Sequence, residues 1–259
     1  MSVIDGKKTD YILKIENVYK DFDGLEVLFG IDINVRYGAR HAILGPNGAG
    51  KSTLFNLITG KHSVSKGKIF FKEKKITGIS PHRVNRAGLS RSFQITNIFR
   101  TMTVFENVRN AVLAKNGILY NIYSSLARMD GINRQTDEIL DEIGLLDRKN
   151  LIAGELSYGE QRALEIGLTI ATDPELILLD EPTAGMSSEE TRAAIKLIAH
   201  VAKGKTLMII EHDMDVVFSL ADHISVIYYG KVLASGPPDQ VRNDQKVKDA
   251  YLGEERRER

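Results

Sequence analysis

The sequence predicts an α/β protein whose core is interrupted by a mostly helical segment. Residues 176–179, 206–210 and 223–229 are short, fully apolar runs of the kind found in strands buried in a parallel sheet. Helical segments alternate with these runs, which is the pattern of an open sheet covered by helices. Between residues 93 and 156, apolar residues instead recur at helical spacing and strand signals are few. We therefore expect a helical insertion between the two halves of the α/β core.

The first half of the chain supplies further strands and one early helix. Strands are predicted at residues 11–18, 27–35, 41–44 and 68–71, and residues 52–59 place Leu54, Leu57 and Ile58 on one face of a helix. Residues 1–10 are expected to be a flexible N-terminus, and residues 254–259 a charged, frayed tail. The folded domain is thus predicted to span residues 11–253, with a helical subdomain at about 95–156.

Composition excludes several classes of protein. The 259 residues include 35 Lys and Arg and 34 Asp and Glu, so the basic excess expected of a nucleic-acid binder is missing. The chain has no cysteine, which excludes disulfides, thiolate nucleophiles and Cys-ligated zinc. No run of eighteen apolar residues and no apolar N-terminal core occur, so neither a membrane span nor a signal peptide is expected. The default expectation is a soluble, cytoplasmic protein.

Residues 45–53 match the phosphate-loop pattern G-x-x-x-x-G-K-[ST], between a predicted strand and a predicted helix. Glycines let backbone N–H groups curl round a polyphosphate, and the helix N-terminus adds partial positive charge. Lys51 supplies a cation for the β- and γ-phosphates, and the Ser52 hydroxyl is a ligand for Mg²⁺. The predicted phosphate-binding residues are Gly45, Pro46, Asn47, Gly48, Ala49, Gly50, Lys51, Ser52 and Thr53.

Two carboxylates follow the apolar strand at residues 176–179. Ligands collect at the carboxyl ends of strands in open parallel sheets, so this is where a nucleotide site is expected to place acids. Asp180 is predicted to hold Mg²⁺, and Glu181 to orient or deprotonate the attacking water.

With these motifs and four others in order, the chain resembles the ATPase subunits of ATP-binding-cassette (ABC) transporters. Residues 156–161, LSYGEQ, are similar to the family's signature sequence, and Ser157 precedes Asp180 by 23 residues. Gln94 matches the glutamine at the start of the family's helical subdomain. His212 matches the family's switch histidine, which follows a late strand. Phe22 occupies the place of the aromatic residue that stacks on adenine. The resemblance covers the chain from about Tyr11 to Gly253 and implies a phosphate-loop NTPase fold with an antiparallel β subdomain and a helical subdomain.

The resemblance also implies a mechanism shared by two chains. The signature of one chain closes over the phosphate loop of another, so that two ATP molecules lie in a head-to-tail homo- or heterodimer. Glu181 activates water, His212 holds the γ-phosphate and the water in line, and Gln94 links Mg²⁺ to the helical subdomain. The residues expected to face the partner's nucleotide are Ser157, Tyr158, Gly159, Glu160 and Gln161.

Two of these residues carry additional expectations. Ser157, with Glu160 three residues later, is the pattern of a helix N-cap, and such a helix start is also an anion site. Ser187 occupies the D-loop position where the family usually carries Asp or Asn. A serine still hydrogen-bonds across the dimer, but this departure bears on communication between the two sites.

Finer resemblance favours importers of branched-chain amino acids or of urea and short amides. It rests on residues 93–107, 181–185, 210–214 and 250–254, with acidic Glu211 before His212. The implied partners are a second ATPase chain, permease subunits and, indirectly, a periplasmic solute-binding protein, at the inner face of the plasma membrane. Alternatives are the ATPase of lipopolysaccharide export and a non-transport ABC ATPase. The spacing of 106 residues between Lys51 and Ser157 leaves no room for a chromosome-type coiled coil, and the Asn-Lys-x-Asp motif of GTPases is absent.

Two surface features complete the expectations. The uncharged run at residues 116–127 is expected to pack within the helical subdomain, or, with the groove near Gln94, to receive a permease coupling helix through Tyr120 and Tyr123. Arg83, Arg86 and Arg91 are interpreted as a solvated basic face rather than a lipid-binding patch.

Overall fold

The computed structural model describes residues 10–92, 98–118 and 126–255. The strands are β1 (Tyr11–Phe22), β2 (Leu25–Arg36), β3 (Arg40–Leu44), β4 (Lys66–Phe71), β5 (Lys74–Lys75), β6 (Leu89–Arg91), β7 (Leu176–Asp180), β8 (Thr206–Glu211), β9 (His223–Tyr228) and β10 (Lys231–Gly236). The helices are α1 (Lys51–Ile58), α2 (Pro81–Arg86), α3 (Val104–Lys115), α4 (Leu126–Glu142), α5 (Tyr158–Ile170), α6 (Ser188–Val201), α7 (Met214–Leu220), α8 (Pro238–Asn243) and α9 (Gln245–Glu255).

These strands form two sheets, which confirms the predicted α/β class and the antiparallel β subdomain. One sheet is antiparallel and four-stranded, with the order β2-β1-β4-β5. The other has six strands in the order β10-β9-β3-β8-β7-β6, and its five strands from β9 to β6 run parallel. β10 adds to the edge as the antiparallel arm of a hairpin with β9. The short strand β6 has no counterpart among the strands expected from sequence.

The parallel strands are buried on both faces, which explains their continuous apolar runs. Successive side chains on a strand point to opposite faces. Leu207 and Ile209 accordingly join the core on the side of α3–α7, while Met208 and Ile210 join the core shared with α1 and the antiparallel sheet. The central sheet thus connects two apolar layers and fixes where its strand ends lie.

The helical segment between the two halves of the core packs through a stripe on α3 and α4. Val104, Val108 and Val112 are fully buried at helical spacing on α3. The helix begins with a capping box, in which Thr103 and Glu106 bond each other's backbone N–H groups. Ile118, at the start of the uncharged run, packs against the same core. Residues 119–125, which include Tyr120 and Tyr123, lie outside the described residues.

α9 runs through Glu255, so this helix includes the first two residues of the expected tail. In the parts of the chain that the structure describes, every helix falls short of the length and apolar character needed to cross a bilayer.

At the amino ends of β3 and β9, two histidines form a network with two serines, of which His41 and Ser225 are buried. Nε2 of His41 lies 2.9 Å from Oγ of Ser225, which lies 2.8 Å from Oγ of Ser235. Nε2 of His223 lies 3.0 Å from the same Ser235 hydroxyl. Burial and, to a smaller extent, the charge of His223 together lower the pKa of His41 to about 3. His41 is therefore neutral in the folded protein at neutral pH.

This network predicts a loss of stability in mild acid. Between pH 6.5 and about 3, His41 binds a proton in the unfolded chain but not in the folded one, so the free energy of unfolding falls as pH decreases. Between pH 7 and pH 5 the contribution of His41 is ~2 kcal/mol. We expect urea titrations of His41→Gln to show a correspondingly smaller fall over this range. The exposed His200 offers a control, and a His41→Gln slope equal to those of wild type and His200→Gln would contradict the assignment.

Candidate nucleotide site

Three neighbouring strands of the parallel sheet end at the same edge and deliver the predicted site. β8 lies between β3 and β7, with Leu44 opposite Glu211 and Asp180 opposite Ile210. The residues that follow β3 form the phosphate loop, β7 ends in Asp180, and His212 follows β8. The register of three strands therefore brings together segments that are far apart in sequence.

The phosphate loop is clamped at both ends by residues that approach its backbone closely. A Cβ on Gly45 would lie 2.2 Å from the carbonyl oxygen of Ile227. Gly50 has φ +101°, and a Cβ there would lie 2.5 Å from Leu28 Cδ2. Only glycine fits at either position. The loop is thus held between β2 and the end of β9.

Further hydrogen bonds fix the loop and its lysine. Gly230 N donates to Ala49 O over 3.1 Å, which ties the loop to the β9–β10 turn. Lys51 is buried, and its Nζ donates to the carbonyl oxygens of Gly45 (2.6 Å) and Pro46 (2.9 Å). The ammonium group therefore lies within the curve of the loop. Ser52 and Thr53 are half-buried in the first turn of α1, and Asn47 and Gly48 are exposed at the tip of the loop.

Beside the loop lies a cavity of about 550 Å³ with an apolar rim. Gly48 contributes to its lining, together with Leu25, Val27 and Tyr229. Leu25 and Tyr229 are among the most exposed large apolar residues of the described chain, at 69% and 62%. Sequence patterns gave no indication of Tyr229, because its position is defined only by the turn that supports the loop.

Phe22, the expected adenine-stacking residue, ends β1 and is partly exposed. Its ring contacts His62 edge to face, with centroids 5.4 Å apart, and Lys20 Nζ lies 4.4 Å from the ring centroid. The face of an aromatic ring attracts a cation, so Lys20 stabilises this orientation of Phe22.

Asp180 is fully buried and forms an ion pair that the sequence did not indicate. Its Oδ2 lies 2.5 Å from the guanidinium of Arg91, on the neighbouring strand β6. A second guanidinium nitrogen donates to Asn56 Oδ1 over 2.8 Å. Oδ1 of Asp180 has no hydrogen-bond partner among the described residues. The interpretation of Arg91 as solvated was wrong, because β6 carries it into the sheet, whereas Arg83 and Arg86 on α2 are exposed as expected.

Glu181 and His212 occupy the ends of the two adjacent strands. Glu181 has φ +47°, an uncommon value for a residue with a side chain, and its N–H donates to Ile210 O over 2.9 Å. The His212 side chain is about half exposed, and its Nδ1 lies 4.0 Å from Oε2 of the buried Glu211. Two residues able to assist a hydrolytic reaction therefore follow β7 and β8, at the same edge of the sheet as the phosphate loop.

The signature turn, residues 156–161, lies at the start of α5. Ser157 is the N-cap and forms the predicted capping box with Glu160, with bonds of 3.3 Å and 2.9 Å. The Ser157 N–H lowers the pKa of Glu160. Gln161 Nε2 donates to Leu156 O over 2.8 Å, which closes the turn. Ser157 and Tyr158 are exposed.

The signature turn is hydrogen-bonded to the segment that contains Ser187. The Tyr158 hydroxyl donates to Ala184 O over 2.8 Å. Ser187 caps α6 through a capping box with Glu190, whose Oε2 accepts bonds from the Ser187 N–H (2.9 Å) and hydroxyl (2.8 Å). These bonds and the Gly159 N–H lower the pKa of Glu190. The Ser187 hydroxyl is thus occupied within its own chain. Gln94 lies outside the described residues.

The Arg91–Asp180 pair predicts a large stability effect of removing the arginine. Leaving one buried charge without its partner typically costs about 3–5 kcal/mol, so we expect Arg91→Met to lower the free energy of unfolding by that order in denaturant titrations. The exposed pair between Lys72 and Glu175 is the control, since Lys72→Met should cost less than about 1 kcal/mol. Equally small losses in both variants would show that the buried pair has no such role.

Comparison with known proteins shows the family of the chain. The family model described as ABC transporter matches residues 28–184, and the model described as branched-chain amino acid ATP-binding cassette transporter matches residues 231–257. LivG of Escherichia coli K12 and BraF of Pseudomonas aeruginosa, both described as high-affinity branched-chain amino acid transport ATP-binding proteins, are each 36% identical, over 94% of this chain and 98% of theirs. LivG of Methanocaldococcus jannaschii, described as a probable protein of this kind, is 33% identical, over 96% of this chain and 100% of its own.

Solved structures show the same fold. The ADP conformation of MJ1267, an ATP-binding cassette of an ABC transporter, superimposes with a TM-score of 0.81 at 32% identity, over 95% of this chain and 100% of the other. A nucleotide-free cassette from an ABC transporter gives the same TM-score and identity, over 93% and 98% of the two chains. The chain therefore belongs to the ATP-binding subunits of ABC transporters, which bind nucleotide and hydrolyse ATP, within the group that contains the branched-chain amino acid cassettes.

Proposed function

We propose that this chain powers the import of branched-chain amino acids or a related small polar solute. The observation that carries the proposal is the edge formed by β3, β7 and β8, where one chain presents a phosphate loop, two acids and a histidine. The relatives support the solute class, because LivG and BraF are described as branched-chain amino acid transport proteins and align over nearly their whole length.

In this proposal, the phosphates of ATP lie in the curve of the phosphate loop. The start of α1 offers backbone N–H groups, since its N-cap Gly50 has no side chain to occupy them. Lys51 already lies within the loop and turns from two carbonyl oxygens to the phosphates. Phe22 stacks on the adenine base. The cavity beside Gly48 is open next to the loop.

The donors near the loop fit Mg²⁺. Hard oxygen ligands are what this ion prefers, and Ser52 offers a hydroxyl in the first turn of α1, while Asp180 has a buried oxygen with no partner in the described part of the chain. Ser52, Asp180 and Gln94 would hold the ion, which neutralises charge that develops on the phosphates.

Hydrolysis then depends on groups that act on water and on the γ-phosphate. Glu181 accepts the proton of the attacking water, and His212 positions that water and the phosphate. Ser157 and Gly159 of a second chain donate hydrogen bonds to the γ-phosphate. The capped start of α5 suits this role, because its exposed N-terminus favours an anion.

A change at Glu181 that removes the charge but keeps the shape of the side chain separates binding from hydrolysis. Glu181→Gln removes the proton acceptor but retains the side-chain volume, so we expect ATP binding to persist while turnover falls by about 100-fold or more. Closed dimers of this variant should then accumulate when ATP and Mg²⁺ are present, and size-exclusion chromatography would detect them. Lys51→Ala is the matched control, since it should lose ATP affinity itself. Wild-type turnover of Glu181→Gln would exclude the assigned role.

An exposed apolar patch near α3 is the proposed docking surface for a permease subunit. We define this docking patch as Phe99, Met102, Leu151 and Ile152, which are 56%, 36%, 38% and 37% exposed. Backbone hydrogen bonds join the two segments of the docking patch, including Val104 N to Leu151 O and Ala153 N to Met102 O, both 2.9 Å. Buried Asn107 holds the backbone of Phe99 through two bonds of 2.7 and 3.1 Å. A rigid apolar patch suits a helix of a permease, which brings the chain to the inner face of the membrane.

A charge in the docking patch should weaken assembly without affecting the nucleotide site. We expect Phe99→Asp to lower the yield of complex when the chain is co-expressed with its permease subunits and purified through them. Basal ATP hydrolysis of the isolated chain should stay at the wild-type rate. Tyr37→Asp, at an exposed turn after β2, is the control. Normal assembly of Phe99→Asp, or equal loss in Tyr37→Asp, would exclude this surface.

A further inference from the structure

Glu211 is a fully buried acid at the end of β8, directly before His212. On one side it lies opposite Leu44, the last residue before the phosphate loop. On the other side, β8 borders β7 and the turn that begins with Glu181. Glu211 therefore occupies the centre of the edge that carries the nucleotide site, although the proposed mechanism assigns it no task.

The carboxylate of Glu211 holds the turn that follows β7. Its Oε1 accepts a hydrogen bond from the Thr183 hydroxyl at 2.7 Å and another from the Thr183 N–H at 3.1 Å. Thr183 is itself buried. Two bonds to one residue fix both its side chain and its backbone, so the turn is anchored to β8 two residues beyond Glu181.

Glu181 needs such an anchor because its backbone is strained. Its φ of +47° costs about 1–3 kcal/mol for a residue with a side chain. Pro182 follows and has no N–H to donate. The turn is held by Glu181 N to Ile210 O at 2.9 Å, by Ala184 N to Glu181 O at 3.2 Å, and by the bonds of Thr183 to Glu211. Without Glu211, the strain can relax and rotate the Glu181 side chain.

The environment of Glu211 also bears on its charge. Burial raises its pKa, the hydrogen bonds from Thr183 and the neighbouring His212 lower it, and the nearby Glu181 raises it. Oε2 has no hydrogen-bond partner among the described residues. What the anchor requires is therefore a side-chain oxygen that accepts the hydrogen bonds from Thr183. Glutamine supplies the same acceptor oxygen without the charge.

We propose that Glu211 is a positioning residue, which sets the orientation of Glu181 for hydrolysis by fixing Thr183 to the end of β8. The inference rests on the proposed role of Glu181 as the proton acceptor. It assigns the acid before the switch histidine to the chemical step and not to ATP binding, since both of its hydrogen bonds run to the Glu181 turn.

The test compares variants that remove or retain the acceptor. We expect Glu211→Leu to lower kcat about 10- to 100-fold, because a displacement of about 1 Å in a reacting group has effects of this size. KM for ATP and ATP binding should stay within about twofold. Glu211→Gln should retain kcat near the wild-type value. Thr183→Val, which keeps the backbone N–H, should reduce kcat less than Glu211→Leu.

Two controls make the outcome specific. Thr206→Val removes a buried hydroxyl at the opposite end of β8, where Thr206 accepts a bond from Gly38 N over 3.0 Å, and should leave kcat unchanged. The inference would be overturned if Glu211→Leu kept the wild-type kcat, or if its loss of ATP affinity matched its loss of kcat. It would also be overturned if Thr206→Val lost as much kcat as Glu211→Leu, or if Glu211→Gln were as slow as Glu211→Leu. Glu181→Gln is measured alongside, because normal turnover there contradicts the proposed function, whereas an inactive Glu181→Gln with normal Glu211→Leu contradicts the positioning role alone.

Discussion

The register of β8 between β3 and β7 is the constraint on which the nucleotide site depends. With Leu44 opposite Glu211 and Asp180 opposite Ile210, the phosphate loop, the acids and His212 emerge side by side. A one-residue slip would turn every side chain to the other face of the sheet. Burial on both faces prevents it, because Met208 and Ile210 belong to one apolar layer and Leu207 and Ile209 to the other. The core and the site are therefore fixed by the same contacts.

Local patterns predicted the parts of the structure that depend on local physics. Apolar runs identified the parallel strands, since buried strands need apolar residues on both faces. The phosphate loop was evident from the positions of its glycines. Those positions require glycine because a larger residue would contact Ile227 or Leu28 too closely. The capping box of Ser157 and Glu160 was also predicted, because both partners lie within one turn.

Long-range contacts between polar side chains had no such signal. Arg91 was interpreted as part of a solvated basic face, yet it lies on the three-residue strand β6 and pairs with Asp180, 89 residues away. Glu211 and Thr183 are 28 residues apart, and neither residue type alone suggests a bond. The link from Tyr158 to Ala184 likewise exists only once α5 and the turn after β7 have packed. These contacts join the motifs, whereas the motifs themselves could be recognised in isolation.

In the proposed function the nucleotide is enclosed by two chains, with the signature turn of one chain facing the phosphate loop of the other. The most direct test is thiol cross-linking, which is unambiguous because the chain has no cysteine. Asn47 and Ser157 are exposed and are replaced together by cysteine in a hydrolysis-deficient chain. A short bifunctional thiol reagent should yield a covalent dimer on a non-reducing gel only when ATP and Mg²⁺ are present. Cross-linking within single chains, or none with ATP, would contradict the account.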